Sequence, residues 1–133
     1  MFIYNTKINF YECDPAGILF FARIFNICHS AYEAMISEFQ LEEDYWENDD
    51  YVVPIIHSEA SYHKPIKYSD QVRIKITINQ LRESSFELIY ECRNESDELC
   101  TKVKTVHVFV DKGNWKKKKM SNKIFNELQE HKI

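Results

Sequence analysis

The first segment whose residue types could support chemistry is Asp14-Pro15-Ala16-Gly17, which lies between a strand pattern and a long apolar pattern. Asp followed by Pro is typical of a helix N-cap with Pro at the first helical position, so a purely structural role is one interpretation. The same geometry offers chemistry, because a helix N-terminus presents unpaired N–H groups that polarise a carbonyl. A carboxylate beside that carbonyl attacks it or takes a proton from water, and Gly17 lets the backbone approach a bound molecule.

The elements on either side of this segment must position it. Residues 2–11 have apolar side chains on one parity, which predicts a first strand. Residues 19–39 have a helical pattern, with their polar side chains confined to one narrow stripe: Arg23, Asn26, Ser30, Glu33 and Ser37. Because most of the remaining helix surface is apolar, we expect this helix to be buried on most sides.

The second half of the chain changes to a period of two, which predicts four strands at about 56–63, 72–79, 86–93 and 99–110. The apolar phase changes within the last of these, which indicates a bulge or a strand covered on both faces. Ser121 is a candidate N-cap for a short helix ending near Glu130. Short links between strands favour antiparallel pairing. We therefore predict one α+β domain over residues 1–133, with about five antiparallel strands wrapped around one long buried helix.

Composition narrows the class of protein. The net charge of −4 disfavours a nucleic-acid-binding domain, and no apolar stretch approaches the length of a membrane span. The four cysteines have no metal or redox spacing, and the N-terminus does not resemble a signal peptide, so we expect free thiols and a cytoplasmic protein. His57, Glu59 and His63 have weak ligand spacing, so we expect no metal. Exposed sheet edges favour a homo-oligomer.

Three motifs resemble one family of enzymes. Residues 14–21 resemble the opening loop of 4-hydroxybenzoyl-CoA thioesterases. Residues 27–34, Ile-Cys-His-Ser-Ala-Tyr-Glu-Ala, are similar to a helix of 1,4-dihydroxy-2-naphthoyl-CoA thioesterases, and Pro54-Ile55-Ile56-His57 is similar to one of their strands. One departure is Ser69 before Asp70, where the family has Gly. The resemblance covers about residues 6 to 112.

This resemblance implies a hot-dog fold, a dimer or a tetramer of dimers, and an active site shared between subunits. It makes Asp14 the catalytic carboxylate and the Phe21 N–H the group that polarises the thioester carbonyl, with the Gly17 N–H as a second candidate. Family members that act on short aliphatic acyl-CoA often have His where this chain has Phe21, so an aromatic acyl group is favoured. No cofactor is implied, because coenzyme A is part of the substrate.

Three further residues are candidate substrate contacts. His57 lies on the polar parity of its strand, which indicates an outward-facing side chain, although its motif places it near the acyl pocket. Glu33 either faces solvent as part of the polar helix stripe or contacts the substrate or a neighbouring subunit. Lys64 is one of several lysines available for the phosphates of coenzyme A.

The leading hypothesis is an acyl-CoA thioesterase for an aromatic acyl group. The alternatives are an aliphatic acyl-CoA or acyl-carrier-protein thioesterase and a non-catalytic hot-dog protein that binds acyl-CoA. The hypothesis of a hot-dog dehydratase has less support, because the His and Asp motif of those enzymes is missing from the sequence.

Overall fold

The computed structural model describes all 133 residues, and a strand and a long helix are followed by six strands and a short terminal helix. In chain order they are β1 (Phe2–Lys7), a 3₁₀ turn (Phe10–Glu12), α1 (Arg23–Ser37), β2 (Tyr51–Val52), β3 (Ile55–Tyr62), β4 (Gln71–Leu81), β5 (Ser85–Arg93), β6 (Leu99–Val108), β7 (Val110–Asp111) and α2 (Asn122–Gln129). No helix has the length and apolar character needed to cross a membrane.

Five strands form one antiparallel sheet in the order β1-β4-β5-β6-β3. The helix α1 packs across its face: the Cys28 Sγ lies 3.9 Å from the Cys92 Sγ of β5, and the Tyr32 ring lies 4.6 Å from the His107 ring of β6. One apolar core joins these elements to the N-terminal strand and to α2. The predicted α+β architecture of five antiparallel strands and one long buried helix is confirmed.

Two predicted boundaries were wrong. The first strand ends at Lys7 rather than near residue 11, because the chain turns at Phe10–Glu12, where the Glu12 Oε1 accepts a hydrogen bond of 2.8 Å from the Asn9 N–H. The helix begins at Arg23 rather than Leu19, and its N-cap is Ala22. The N-cap interpretation of Asp14 is therefore wrong, since eight residues lie between Asp14 and Arg23, the first residue of α1.

The edge strand β3 differs from the other long strands in its exposure. Because His57 lies on the polar parity, the alternate residues from Ile56 onward were expected to face inward. Yet every residue of β3 is exposed except Ala60, which is half-buried. Ile56 is the extra residue at a register irregularity between Ile55 and His57, and 63% of it is exposed. Since α1 does not cover this strand within one chain, both of its faces and its outer edge stay open.

In β6 polar residues share the buried parity of the strand. The inward set is Thr101, Val103, Thr105 and His107, so three of its four members are polar, and Thr105 and His107 lie near the change of phase. They are tolerated in the core because the Tyr90 hydroxyl lies 3.0 Å from the Thr105 Oγ1, which in turn lies 2.7 Å from the His107 Nε2.

Candidate active site

The Asp14 segment is a β-turn rather than a helix start. The Gly17 N–H donates to the Asp14 carbonyl oxygen at 2.9 Å, which closes a four-residue turn with Asp first, Pro second and Gly fourth. Those are the residues that a type I turn prefers at those positions. Gly17 itself has φ +77°, a backbone conformation that glycine adopts without steric cost.

The turn orients the Asp14 side chain. Its Oδ1 accepts hydrogen bonds from the backbone N–H of Ala16 at 2.9 Å and of Ile18 at 3.4 Å. Its Oδ2 has no partner within the chain. The carboxylate is thus held by one oxygen, half-buried, with the other oxygen available to a substrate or a water molecule.

Backbone hydrogen bonds fasten this turn to two other parts of the chain. The Phe20 N–H donates to the Glu12 carbonyl at 3.0 Å, which returns the chain to the 3₁₀ turn. The Leu19 N–H donates to the Ile66 carbonyl at 2.7 Å, and the Tyr68 N–H donates to the Gly17 carbonyl at 2.9 Å. Asp14 therefore occupies a turn braced by the segment that follows β3.

A cavity of about 500 Å³ lies beside this turn. Its walls come from the turn, from the residues leading into α1, from the end of β3 and from β6: Asp14, Ile18, Leu19, Phe20, Phe21, Tyr62, His63, Lys64, Pro65, Ile66 and Thr101. The aromatic rings of Phe20 and Phe21 lie 5.0 Å apart. The cavity thus combines a carboxylate with aromatic walls, and its size is that of a small-molecule site.

Backbone donors for a carbonyl oxygen lie at the same cavity. Phe21 immediately precedes the N-cap of α1, and neither its N–H nor that of Ala22 donates a hydrogen bond within the chain. The residue before the N-cap, Phe21, therefore lines the cavity, whereas α1 does not begin at Asp14-Pro15. Such unpaired donors at a helix N-terminus suit a developing negative charge.

The structure brings together three of the six predicted site residues. Asp14, Phe21 and Lys64 line the cavity. The Gly17 N–H is not available to a substrate, because the turn already uses it, so its proposed role as a second donor is wrong. Lys64 forms an ion pair with Glu98, whose carboxylate raises the pKa of the Lys64 ammonium.

His57 and Glu33 lie outside the cavity of a single chain. The His57 Nε2 lies 3.2 Å from the Glu59 Oε1 on the exposed strand β3, and this contact is the main cause of a lowered pKa of the Glu59 carboxyl. The Glu33 Oε2 lies 2.7 Å from the His29 Nδ1, one turn away on α1. Both predicted contacts stay predictions that depend on a second copy of the chain.

Sequence reasoning missed Tyr62 as a site residue. Its hydroxyl donates a hydrogen bond of 2.7 Å to the carbonyl oxygen of Phe21, which joins the end of β3 to the residues leading into α1. The only signal in the sequence was its parity in the strand pattern, which predicted an inward-facing side chain and no hydrogen bond across the cavity.

Comparison with known proteins agrees with this arrangement. The model of the thioesterase-like superfamily matches residues 8–128. The chain belongs to this superfamily. Among its relatives within the thioesterase-like superfamily, a 1,4-dihydroxy-2-naphthoyl-CoA hydrolase from Crocosphaera subtropica is 33% identical over 111 residues, covering 81% of each chain. Another protein of that name, from Rippkaea orientalis, is 28% identical over 129 residues, covering 95% of this chain and 94% of the relative.

A solved structure confirms the fold of this thioesterase-like chain. The crystal structure of a 1,4-dihydroxy-2-naphthoyl-CoA thioesterase from Synechocystis superposes with a TM-score of 0.89 at 24% identity and covers 96% of this chain and 95% of that one. The expected membership of this superfamily, its hot-dog fold and its class as a thioester hydrolase are confirmed.

Proposed function

We propose that this chain hydrolyses an aromatic acyl-CoA thioester of the 1,4-dihydroxy-2-naphthoyl-CoA or 4-hydroxybenzoyl-CoA type. The observation that carries the proposal is the convergence of the Asp14 carboxylate and the unpaired Phe21 N–H on one aromatic-walled cavity. The names of the two relatives support the naphthoyl substrate. Flat aromatic walls suit a flat aromatic acyl group, because offset or edge-to-face ring pairs add to the burial of apolar surface.

The reaction divides into binding and proton transfer. The thioester carbonyl oxygen accepts a hydrogen bond from the Phe21 N–H, which stabilises negative charge on that oxygen as the carbonyl carbon is attacked. In one route Asp14 takes a proton from water, the hydroxide adds to the carbonyl carbon, the C–S bond breaks, and the departing thiolate receives the proton. In the other route Asp14 attacks the carbonyl carbon directly, the C–S bond breaks, and the departing thiolate takes a proton from solvent; water then hydrolyses the mixed anhydride, which releases the acid and restores the Asp14 carboxylate.

The test is hydrolysis of a panel of aryl-CoA and alkyl-CoA thioesters, with free acid and coenzyme A separated and quantified. We expect turnover of aryl-CoA, and a fall in kcat of about 10²- to 10⁴-fold for Asp14→Asn. Asn keeps the size of the side chain and an oxygen for the Ala16 and Ile18 N–H groups, so the turn is preserved. Full activity in a folded Asp14→Asn protein would refute the assignment of Asp14.

The same panel separates the alternatives. Preference for medium or long alkyl chains, or for an acyl carrier protein, would replace the aromatic assignment. Tight binding of acyl-CoA without turnover would indicate a non-catalytic binding protein. No cofactor is needed in either route, and the absence of a cofactor stays a prediction that a reaction with purified, metal-depleted protein checks.

We also infer a homodimer formed through β3. The strand has an unpaired outer edge, and its residues are exposed on both faces, including Ile55 and Ile56. Pairing with the same strand of a second copy would satisfy the free backbone groups and cover these side chains. It would also offer a route by which His57 and Glu33 of one copy reach the cavity of the other.

Light scattering after size-exclusion chromatography tests this inference. We expect two or four copies for the wild type and a shift to monomer for Ile56→Glu. Ile133→Glu is the matched control, because Ile133 is similarly exposed but lies away from β3. A monomeric wild type would overturn the dimer. A cytoplasmic location also stays a prediction, and it agrees with four cysteines that form no disulfide.

A further inference from the structure

Tyr62 makes a contact that its position in the cavity wall does not require. A wall needs only the ring, yet the hydroxyl reaches across to the Phe21 carbonyl oxygen at 2.7 Å. The two residues are 41 positions apart in the chain. Tyr62 is 52% exposed and Phe21 is 63% exposed, so burial of the two side chains does not by itself fix their relative position.

The residues that this bond holds are otherwise loosely supported. Residues 20–23 form the turn that leads into α1, and two attachments hold it to the rest of the chain: the Phe20 N–H donates to the Glu12 carbonyl at 3.0 Å, and the helix begins at Arg23. Between them, Phe21 and Ala22 are exposed and donate no hydrogen bond within the chain. The N-cap residue Ala22 has no side-chain acceptor that could order the turn. The Tyr62 hydroxyl is therefore the third point of attachment.

Such an attachment matters for catalysis rather than only for stability. A donor that stabilises an oxyanion is effective when it is already in place before the reaction. Partial burial raises the pKa of the Tyr62 hydroxyl, so it stays a donor at neutral and mildly alkaline pH.

We propose that Tyr62 is a positioning residue for thioester hydrolysis, whose hydroxyl fixes the Phe21 carbonyl and so holds Phe21, with its unpaired N–H, beside the cavity. The proposal rests on the function proposed above. It assigns Tyr62 an effect on the rate of the chemical step, while the Tyr62 ring serves separately as a wall for the acyl group.

The test compares Tyr62→Phe with Tyr68→Phe. Tyr68 has the same exposure, 52%, lies outside the cavity wall, and makes no hydrogen bond through its hydroxyl. Its bond to the Gly17 carbonyl comes from the backbone N–H and is kept in Tyr68→Phe, so this variant is a matched control for loss of one phenol hydroxyl. We expect Tyr62→Phe to lower kcat by about 10- to 100-fold with KM changed less than about threefold, since the ring wall is retained. We expect Tyr68→Phe to keep the wild-type kcat.

A second measurement excludes a general structural role. A thioether analogue of the substrate lacks the reacting carbonyl. Its Kd, measured by calorimetry, therefore reports binding in the cavity without any hydrogen bond to a carbonyl oxygen. Under the proposal Tyr62→Phe binds it as the wild type does. An unchanged kcat, or a fall in kcat/KM matched by an equal weakening of thioether binding, would overturn the positioning role.

The outcomes also separate this proposal from the proposed function. Wild-type turnover that depends on Asp14, together with a fully active Tyr62→Phe protein, would refute the role of Tyr62 and leave the proposed function intact. A wild type that turns over no acyl-CoA would refute both the role of Tyr62 and the proposed function.

Discussion

Acidification should destabilise this protein through one buried histidine. His107 is fully buried, its Nε2 lies 2.7 Å from the Thr105 Oγ1, and its Nδ1 has no partner. Its ring stacks on Phe86 at 4.6 Å with 3° between the planes. Burial lowers the pKa of the His107 imidazole to about 3, with a smaller electrostatic contribution from the nearby His29.

The sign and size of the effect follow from this pKa. An unfolded histidine has a pKa of about 6.5, so between pH 6.5 and 3 the unfolded chain binds a proton that the folded chain does not. Stability is therefore complete above pH 6.5 and is lost as the pH falls. For each pH unit below 6.5 in that window the free energy of unfolding falls by up to about 1.4 kcal/mol, which amounts to about 2 kcal/mol between pH 6.5 and 5. That is a large part of a stability of about 5–15 kcal/mol.

The assay is urea denaturation at pH 7.5, 6.5, 5.5 and 5.0, at one protein concentration, for the wild type and His107→Phe. Phe keeps the ring stack on Phe86, while the Tyr90 hydroxyl still bonds Thr105. We expect the free energy of unfolding of the wild type to fall by about 2 kcal/mol more than that of the variant between pH 6.5 and 5. The pKa of His131 is also lowered by burial, but His131 is present in both proteins, so its contribution cancels in the difference between their pH profiles. Parallel pH profiles would refute the reasoning.

Three further changes test the packing and the turns. Ile76→Ala, at a fully buried position of β4, should lower the free energy of unfolding by about 2–5 kcal/mol in denaturant titrations. Ser121→Ala should cost about 1 kcal/mol, because the Ser121 Oγ accepts a hydrogen bond from the Ile124 N–H at the start of α2, and thermal melting checks it. Gly17→Ala should cost about 1–2 kcal/mol and lower kcat, because φ is +77° there although no atom would obstruct the added carbon; an unchanged melting temperature would contradict this.

The sequence predicted the periodic elements well and the irregular ones poorly. The alternation in residues 72–79 predicted β4, which runs from Gln71 to Leu81. The apolar pattern from residue 19 onward predicted one helix, but four residues of it belong to the preceding turn. A run of apolar side chains reports burial rather than backbone conformation, and Leu19 and Phe20 are needed as cavity wall.

The site was predicted most fully where its residues are close together in the chain, whereas Lys64 was predicted only as one of several available lysines. Asp14 and Phe21 lie in one motif, and the structure brings them to one cavity. The Tyr62 hydroxyl bond joins residues 41 positions apart, and no local pattern predicts which strand end meets which turn. The Asp-Pro-Ala-Gly order itself was open to two interpretations, since an N-cap and a type I turn favour the same residues at those positions.

The bracing of the Asp14 turn has a consequence for the order of events during refolding. Its attachments, from Leu19 to Ile66 and from Gly17 to Tyr68, join parts of the chain about fifty residues apart, and contacts of that separation form slowly compared with a helix. After dilution from denaturant, circular dichroism of α1 should recover before enzymatic turnover does. A lag that does not change with protein concentration measures how long the chain takes to close these loops around the site, whereas association of two copies would make it depend on concentration.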